Sequence, residues 1–520
     1  MIKAKDKERF IVEFPLKTDL FHKDILNKRM EIGRRIYNQL VKYYKNVYTE
    51  MTRTKKYRAI QSELSDIRNG KEANEKSKKK RSPREADLYK ELNAMYKEYG
   101  FTDYAMQNKA LKQSKPFVKN IDSMTAQKIG NRLWKAWDKF LFSDGKNVHF
   151  CRYDCFNSME GKSNKTGIRL KENYSSEKGQ WKGEKTVLVW NGIEIPVLID
   201  EKNPYEVMSM RHEIAYNRIV RRFVRGKYKF YVQIVFKGTP PDKIDKNTGE
   251  FKHRIGDGSV GLDIGTQTLA IASSDEVDLI ELADRVQNIE NKKRRINRKL
   301  DRSRRAMNPD NFNEDGTIKK QGNKKVIWHK SNHYKKLQSE KRELERKQAA
   351  VRKYQHYLLV NRIIELGDTY YVETMNYKGL QARAKKTEKN EKGKFKRKKR
   401  FGKSIANKAP SMFLKMLEQK AKQYGGELIK VHTQAVKASQ YSHITDSYVK
   451  KKLSKRWDDV SGCQRDLYSA FLLMNMKDTE TIDKEKCNET FKNFKELHDN
   501  KINELRYKDI KTPCSMGVKW

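Results

Sequence analysis

The chain has 520 residues, which is too long for one ordinary hydrophobic core and indicates several domains. Its 115 Lys and Arg residues outnumber 67 Asp and Glu residues, and the formal net charge of +48 would repel itself without a polyanion to neutralise it. Short basic proteins of the ribosomal or histone kind are excluded by this length together with 36% hydrophobic residues, so we expect a protein with real cores that binds nucleic acid.

Signals for membrane or secretory targeting are absent from the sequence pattern. Residues 1–20 contain no apolar run of the signal-peptide kind, and nowhere do about 18 consecutive apolar residues occur. The five cysteines are scattered, which fits reduced thiols better than a disulfide framework. We therefore expect a soluble, cytoplasmic protein with no membrane partner.

The first 150 residues combine one strand with long helices. Residues 8–16 alternate apolar and polar side chains, which is typical of a strand. From Ile25 to about Tyr57 apolar residues recur at three- and four-residue steps, and a second helical stretch is predicted from about Ala105 to Phe142. Residues 69–83, between the two, are charged and poor in apolar residues, which predicts a loop.

Short β runs follow from about Val148 to Phe236, where alternating segments are bounded by Gly, Asn and Lys. Because one strand already precedes the helices, the pattern predicts a helical module inserted into a β-barrel-like module whose first strand is residues 8–16. Residues 240–258 are rich in turn formers and predict a linker.

A second domain is predicted after this linker. Residues 259–284 are typical of three successive strands, and residues 286–364 of long basic helices with a break at the turn-rich segment 307–317. The remaining predicted elements are a strand at 368–373, a basic run at 382–403, a helix at about 410–424, a strand at 426–432 and a helix starting at Asp466.

Three carboxylates stand where the local pattern favours a neutral residue. Asp263 interrupts an apolar strand between two glycines that would allow a close approach of backbone or phosphate, Glu373 ends a strand, and Asp466 begins a helix. Hydrolysis of a phosphodiester requires stabilised charge on the attacking and leaving oxygens, and two Mg²⁺ ions held about 4 Å apart by carboxylates supply it. Taken singly, each acid has a structural alternative, namely a turn residue, a partner for a lysine and a helix cap, respectively.

The segments around these acids resemble a known nuclease family. VGLDIGTQTLAIAS from Val260, YYVETMNYKGL from Tyr370 and CQRDLYSAFLLMN from Cys463 are similar, in the family's order, to the three RuvC motifs of TnpB and the compact type V CRISPR effectors. Arg465 and Asp466 match the family's Arg-Asp pair. The resemblance implies an RNA-guided, metal-dependent DNA endonuclease in which Asp263, Glu373 and Asp466 are catalytic and bind two Mg²⁺ ions, with Mn²⁺ able to substitute.

The same resemblance implies a fold and partners. The fold is multidomain α+β, with an RNase H-like (RuvC) α/β nuclease domain in the C-terminal half and an N-terminal β-barrel wedge domain that contains an inserted helical recognition domain. The partners are a guide RNA and double-stranded target DNA that carries a short protein-read motif. The oligomeric state stays open, with a monomer favoured over an oligomer. The implied boundaries are wedge 1–22 and 145–250, recognition domain 23–144, RuvC 256–433 with basic bridging helices 286–364, a nucleic-acid-binding insert 434–465, and the third RuvC motif with a tail at 466–520.

One departure from the family concerns zinc. The family usually carries a four-cysteine zinc ribbon just before the third motif, whereas residues 434–465 contain only Cys463. Tetrahedral zinc then has too few ligands, so we predict no zinc and a degenerate ribbon. His149, Cys151 and Cys155 offer three ligands elsewhere but no fourth nearby, and we interpret that cluster as structural.

Two basic segments are candidates for contact with nucleic acid. Arg294, Arg298, Arg302 and Arg305 recur at three- and four-residue steps and would form one cationic stripe that follows phosphates; a solvated helix face is the alternative. The basic run at 383–403 would lie beside the entrance of the acidic site, unless it is a disordered lysine tract.

Two further functions remain open at this point. The chain could be an RNA-guided DNA-binding repressor without cleavage, which the presence of all three acids disfavours. It could also be a guide-independent RNase H-like nuclease or transposase, which differs in neither carrying nor needing a small RNA.

Overall fold

The structure is a computed structural model that describes residues 8–73, 82–171, 186–319, 322, 326–382, 391, 401–452, 454–507 and 512–518. The chain divides into two compact units, Met1–Asp242 and Lys243–Trp520, and the division falls within the predicted linker. Both units contain helices and sheets, so the chain is a multidomain α+β protein. Most of the predicted loop at 69–83 and of the basic run at 383–403 lies outside the described residues.

The first unit contains a sheet whose strands come from both ends of its sequence. Its elements are β1 (Arg9–Pro15), α1 (Leu20–Arg53), α2 (Lys55–Ala73), α3 (Pro83–Glu98), α4 (Asp103–Ser114), α5 (Ser123–Phe142), β2 (Ser158–Glu160), β3 (Arg169–Lys171), β4 (Val187–Trp190), β5 (Ile193–Pro196), α6 (Pro204–Met210), β6 (Ile214–Val224) and β7 (Lys227–Lys237). The four-stranded sheet has the order β1-β7-β6-β2, and β3, β4 and β5 form a separate three-stranded sheet. Helices α1 to α5 therefore lie, in sequence, between two strands of one sheet.

The helical stretch predicted from Ala105 to Phe142 is two helices rather than one. A 3₁₀ turn that contains Pro116 follows α4, and α5 starts behind Asp122, whose carboxylate accepts from the Thr125 amide at 2.9 Å. Proline has no amide hydrogen for a helical hydrogen bond, so the helix ends there. The two helices then pack closely at Gly130, where a Cβ would lie 2.6 Å from the Met106 carbonyl oxygen.

The second unit is built on a five-stranded mixed sheet. Its elements are β8 (Ser259–Ile264), β9 (Thr268–Ala272), β10 (Val277–Glu281), α7 (Val286–Ala306), α8 (Asn332–Ile364), β11 (Thr369–Glu373), α9 (Tyr377–Gln381), α10 (Gly402–Lys408), α11 (Pro410–Gln423), β12 (Glu427–Val431), α12 (Thr433–Val436), β13 (Tyr441–Ser442), β14 (Ser447–Tyr448), α13 (Arg465–Met474) and α14 (Lys484–Tyr507). The sheet order is β10-β9-β8-β11-β12. The first three strands are antiparallel, whereas β11 runs parallel to both β8 and β12.

Helices cover both faces of this sheet. Side chains of α8 and α11 pack on the face formed by Leu262 and Val372, and side chains of α13 and α14 pack on the face formed by Ala270 and Ala272. Strand residues alternate between faces. Leu262 and Val372 therefore direct their chain neighbours Asp263 and Glu373 to the face that α13 covers.

Gly261 allows α13 to lie directly on the backbone of β8. A Cβ at this position would clash with the Ala470 carbonyl oxygen and the Met474 amide nitrogen, and even the Ala470 carbonyl carbon would be only 2.9 Å away. A Cβ on Gly265 would meet no atom closer than 3.4 Å. Of the two glycines that flank Asp263, the first therefore serves the packing of a helix.

The core of this unit contains a histidine, His356, whose buried position favours the neutral form of its ring. His356 of α8 is fully buried, its ring lies 5.7 Å from that of Phe413, and its Nε2 donates to the Lys408 carbonyl at 2.8 Å. Burial lowers the pKa of His356 from 6.5 to about 4.

We expect this histidine to make the unit acid-sensitive. A lowered folded pKa favours the neutral ring, so the stabilisation is complete above pH 6.5 and is lost as the pH falls towards 4, by about 3 kcal/mol in total. Urea unfolding at pH 7, 5.5 and 4.5 measures this loss. His356→Gln keeps a donor for the carbonyl but cannot titrate, and an equally steep acid loss in that variant would contradict the assignment.

No helix in the described ranges combines the length and the apolar content that a membrane span requires.

Candidate acidic site

The sheet itself places Asp263 beside Glu373. Strands β8 and β11 are parallel neighbours with Leu262 paired to Val372, so the next residue on each strand is Asp263 and Glu373 respectively. Adjacent strands are about 4.8 Å apart, and side chains at matching positions point to the same face. Both acids are partly buried. Two carboxylates that are 110 residues apart in sequence thus become neighbours across a strand pair.

Helix α13 brings Asp466 to the same face. Gln464 caps the helix, because its side-chain oxygen accepts from the Leu467 amide at 2.8 Å. Asp466 lies in the first turn, four residues before Ala470, and positions four apart share one side of a helix. Since Ala470 contacts the backbone of β8 at Gly261, Asp466 faces the sheet one helical turn closer to the N-terminus of α13.

The charges of Glu373 and Asp466 act on Asp263. The pKa of Asp263 is raised well above its usual 3.8, first by burial and then by the negative charges of Asp466 and Glu373. Burial also raises the pKa of Glu373, and the Ala438 amide, which donates to Glu373 Oε1 at 3.2 Å, offsets part of this shift. The structure therefore brings the three acids predicted from the sequence into one electrostatic group.

Two arginines share the carboxylate of Asp466. Arg465 donates to Asp466 Oδ1 at 2.9 Å, and a guanidinium nitrogen of Arg456 lies 3.8 Å from Asp466 Oδ2. Both cations also lower the pKa of Asp263, against the larger effects that raise it. The site thus contains positive charge of its own beside the acids.

Sequence reasoning missed three contributors to this site. Arg456 stood in no recognised pattern, and the Ala438 amide is a backbone group that no side-chain pattern reveals. Tyr377 lies within the segment that resembles the second motif, and its pKa is raised by burial and by the charge of Asp263, which places the phenol beside that acid. Its hydroxyl group is 3.5 Å from the Ile264 carbonyl oxygen.

The three acids suit magnesium by the chemistry of their donors. Carboxylate oxygens are the ligands that Mg²⁺ prefers, and a divalent cation would relieve the repulsion that raises the pKa of Asp263. As placed, however, no group of three or more His, Cys, Asp or Glu side chains in the described part of the chain is arranged to hold an ion.

The insert at 434–465 is held by contacts among its own side chains. Asp458 is buried, pairs with Lys451, and accepts from the amide and the hydroxyl group of Ser461 at 2.9 and 2.7 Å. Cys463 is buried and donates to the Ser461 carbonyl at 3.4 Å. A zinc-free insert remains a prediction, and these contacts are the means by which it would keep its shape.

The His149, Cys151 and Cys155 cluster belongs to the first unit. The Cys151 backbone is fixed to α1 by two hydrogen bonds with Asn38, at 2.8 and 2.9 Å. Cys155 is exposed. These contacts favour the structural interpretation of the cluster.

The predicted cationic stripe lies along α7. Arg294, Arg298, Arg302 and Arg305 are all exposed, whereas Ile296 and Leu300 on the opposite side of the helix pack against Leu337 of α8. Arg305 also donates to Asp301 at 3.0 Å. The stripe is therefore available to a polyanion, although no described contact joins it to the acidic site.

Comparisons with known proteins give structural neighbours only. No protein-family model matches the chain, and no curated protein matches it. The chain is similar to a cryo-EM structure of a Cas12f1-sgRNA-target DNA complex, with 11% identity, a TM-score of 0.43, and coverage of 90% of this chain and 99% of that one. It is also similar to a CRISPR-Cas12f ternary complex, with 14% identity, a TM-score of 0.24, and coverage of 88% and 82% respectively. Both TM-scores are low, so the function of this chain is inferred from its own residues and their geometry.

Proposed function

We propose that this protein is an RNA-guided DNA endonuclease, and that Asp263, Glu373 and Asp466 form its catalytic site. A guide RNA pairs with target DNA next to a short protein-read motif, and the acidic site then hydrolyses phosphodiester bonds. The protein acts as a monomer in the cytoplasm of a prokaryotic cell, and guide RNA and double-stranded DNA are its partners.

The observation that carries this proposal is the convergence of Glu373 and Asp466 on Asp263. Three carboxylates from segments of the chain about 100 residues apart lie at one face of a sheet, and burial together with repulsion by Asp466 and Glu373 raises the pKa of Asp263. Such an arrangement costs stability, and groups with strongly perturbed pKa values concentrate at functional sites. A purely structural use of three acids would pair each of them with a cation.

The acids have distinct tasks in this proposal. Asp263, Glu373 and Asp466 would hold two Mg²⁺ ions, or Mn²⁺, which when bound supply the charge that stabilises the attacking and leaving oxygens. The Ala438 amide orients Glu373, and Arg465 and Arg456 neutralise Asp466 until the site is used. Arg456 is also positioned to offset charge on a phosphate that enters beside Asp466.

The proposed domain organisation follows the sequence resemblance. The β10-β9-β8-β11-β12 sheet is consistent with an RNase H-like (RuvC) nuclease domain over 256–433 and 466–520, and the insert at 434–465 would contact target nucleic acid. In the first unit, the wedge would comprise 1–22 and 145–250 and the recognition domain 23–144. The arginine stripe on α7, within the proposed bridging helices 286–364, would bind phosphates of the guide and its duplex.

Purification of the protein from its native host with its bound RNA tests this function. We expect a small RNA of defined sequence, and Mg²⁺-dependent cleavage of duplex DNA that matches it. Removal of the RNA should abolish cleavage, and so should chelation of Mg²⁺ with EDTA, whereas chelation should leave guided DNA binding largely intact.

Each alternative predicts a different result in the same experiment. Guided binding without any cleavage in Mg²⁺ or Mn²⁺ would identify a repressor. Cleavage that persists after complete removal of RNA would identify a guide-independent nuclease or transposase, and either result would overturn the proposal.

A further inference from the structure

The segment Thr512–Val518, which follows α14, packs against the N-terminal part of α13. Met516 and Val518 are buried, and both belong to the same hydrophobic cluster as Leu467 and Phe471 of α13. Two of its carbonyl groups accept side-chain hydrogen bonds: Met516 from Gln464 Nε2 at 3.0 Å, and Gly517 from Trp457 Nε1 at 2.9 Å. The 512–518 segment is thus joined to Trp457 and Gln464, both of which precede Asp466 in the chain.

Gln464 links this segment to the first turn of α13. Its side chain is fully buried, and the two ends of its amide have different tasks: Oε1 caps the helix at the Leu467 amide, while Nε2 holds the Met516 carbonyl. Its backbone amide donates to His498 Nε2 at 2.9 Å. A residue tied at three points fixes where the helix begins, and Asp466 follows two residues later.

Gly517 links the segment to Arg456. Its φ of 62° lies in the left-handed region, and a Cβ there would be 2.6 Å from Arg456 Cγ and closer still to Arg456 Cβ. The stem of Arg456 therefore lies flat on the Gly517 backbone. Because Arg456 reaches Asp466 Oδ2, the segment contacts both the helix that carries the acid and a cation that pairs with it.

From these contacts we infer that the 512–518 segment is a positioning element for the acidic site. It sets the start of α13 through Gln464 and the reach of Arg456 through Gly517, and so fixes the Asp466 carboxylate relative to Asp263. Its partners Arg456, Trp457 and Gln464 all belong to the insert at 434–465, which lacks paired cysteines. The inference concerns the arrangement of α13, and its consequence for cleavage rests on the proposed function.

Gly517→Ala tests the inference, and Gly462→Ala is its matched control. Gly462 has nearly the same φ, 64°, but a Cβ there would meet no atom within 4 Å. Both variants bear the cost of a left-handed alanine, whereas only Gly517→Ala displaces Arg456. With RNA-bound protein we expect Gly517→Ala to lower kcat for cleavage about a hundredfold and to raise the Mg²⁺ concentration for half-maximal cleavage, at unchanged guided DNA binding. Gly462→Ala should retain most of the cleavage rate.

A milder variant and a second readout keep the inference testable if Gly517→Ala folds poorly. Trp457→Phe keeps a ring but removes the hydrogen bond to Gly517, and should lower kcat about fivefold. Hydrogen exchange at the Leu467 and Tyr468 amides should be faster in Gly517→Ala and Trp457→Phe than in Gly462→Ala, whether or not the protein cleaves DNA. Equal exchange and equal cleavage in all three variants would overturn the inference. Failure of the unmodified protein to cleave would instead overturn the proposed function and leave the exchange result to decide this one.

Discussion

Asp263→Asn is expected to abolish cleavage and, at the same time, to make the free protein more stable. Asparagine has nearly the same shape but carries no charge, so it removes both the burial of a carboxylate and its repulsion by Asp466 and Glu373. Functional sites commonly sacrifice stability in this way, and we expect a gain on the order of 1 kcal/mol, or about 2 to 4 °C in Tm. Loss of a metal-binding oxygen should slow cleavage by roughly a thousandfold or more.

Thermal unfolding and a cleavage assay measure these two effects separately. Added Mg²⁺ should raise the Tm of the unmodified protein, since an ion that binds only the folded state stabilises it, and this rise should be absent in Asp263→Asn. Cleavage retained within tenfold would remove Asp263 from the proposed catalytic site. A lower Tm for Asp263→Asn than for the unmodified protein would show that other groups in the folded protein stabilise the charge of Asp263.

Asp278→Asn is the matched control on the same sheet. Asp278 is buried, whereas Asp263 is partly buried, and Asp278 pairs with Arg362 and with Lys501, the latter at 2.9 Å. Removal of its charge weakens the hydrogen bonds from Arg362 and Lys501, which each keep a second acidic partner, so we expect a loss of about 1 to 2 kcal/mol. The same chemical change should therefore stabilise the protein at Asp263 and destabilise it at Asp278.

Gly261→Ala is expected to disrupt the second unit and the acidic site together. One methyl group at this position would occupy the backbone of α13, which cannot adjust as a flexible side chain could. We expect a loss of about 3 kcal/mol or more in the free energy of unfolding, from overpacking at the centre of the sheet. In any protein that still folds, the displaced helix carries Asp466 with it, and cleavage should fall about a hundredfold.

Gly265→Ala supplies the comparison for this second prediction. Gly265 is two residues after Asp263, as Gly261 is two residues before it, but its added Cβ would make only ordinary contacts and its backbone is not left-handed. Chemical denaturation should place this variant within about 0.5 kcal/mol of the unmodified protein. Equal losses at the two glycines would contradict the assigned role of Gly261.

The sequence predicts the strands and helices of the second unit closely, because each carries a strong local pattern. The strand predicted at 368–373 is β11 (Thr369–Glu373), and the helix predicted at about 410–424 is α11 (Pro410–Gln423). The local sequence pattern does not predict features that depend on a backbone group or on a contact between residues far apart in the chain. The break at Pro116 was missed because the apolar spacing continues across it, and the amide of Ala438 carries no side-chain signal at all.

The same distinction holds for the site. Each of the three acids could be identified because it stands against its local pattern and within a motif. Arg456 could not, because one more arginine among 115 basic residues is inconspicuous until the fold places it beside Asp466. The role of Gly261 required knowledge of which helix crosses β8, which no spacing reveals.

The pairing of β1 with β7 also bears on how the chain folds as it is synthesised. Arg9 pairs with Lys237, so more than two hundred residues must leave the ribosome before the first strand finds its neighbour. Helices α1 to α5 are synthesised between the two strands and can begin to fold through local contacts. During that time the backbone hydrogen-bonding groups of β1 have no partner strand. Its sequence reduces the risk of pairing with another nascent chain, because the charged side chains of Arg9 and Glu13 flank its run of three apolar residues.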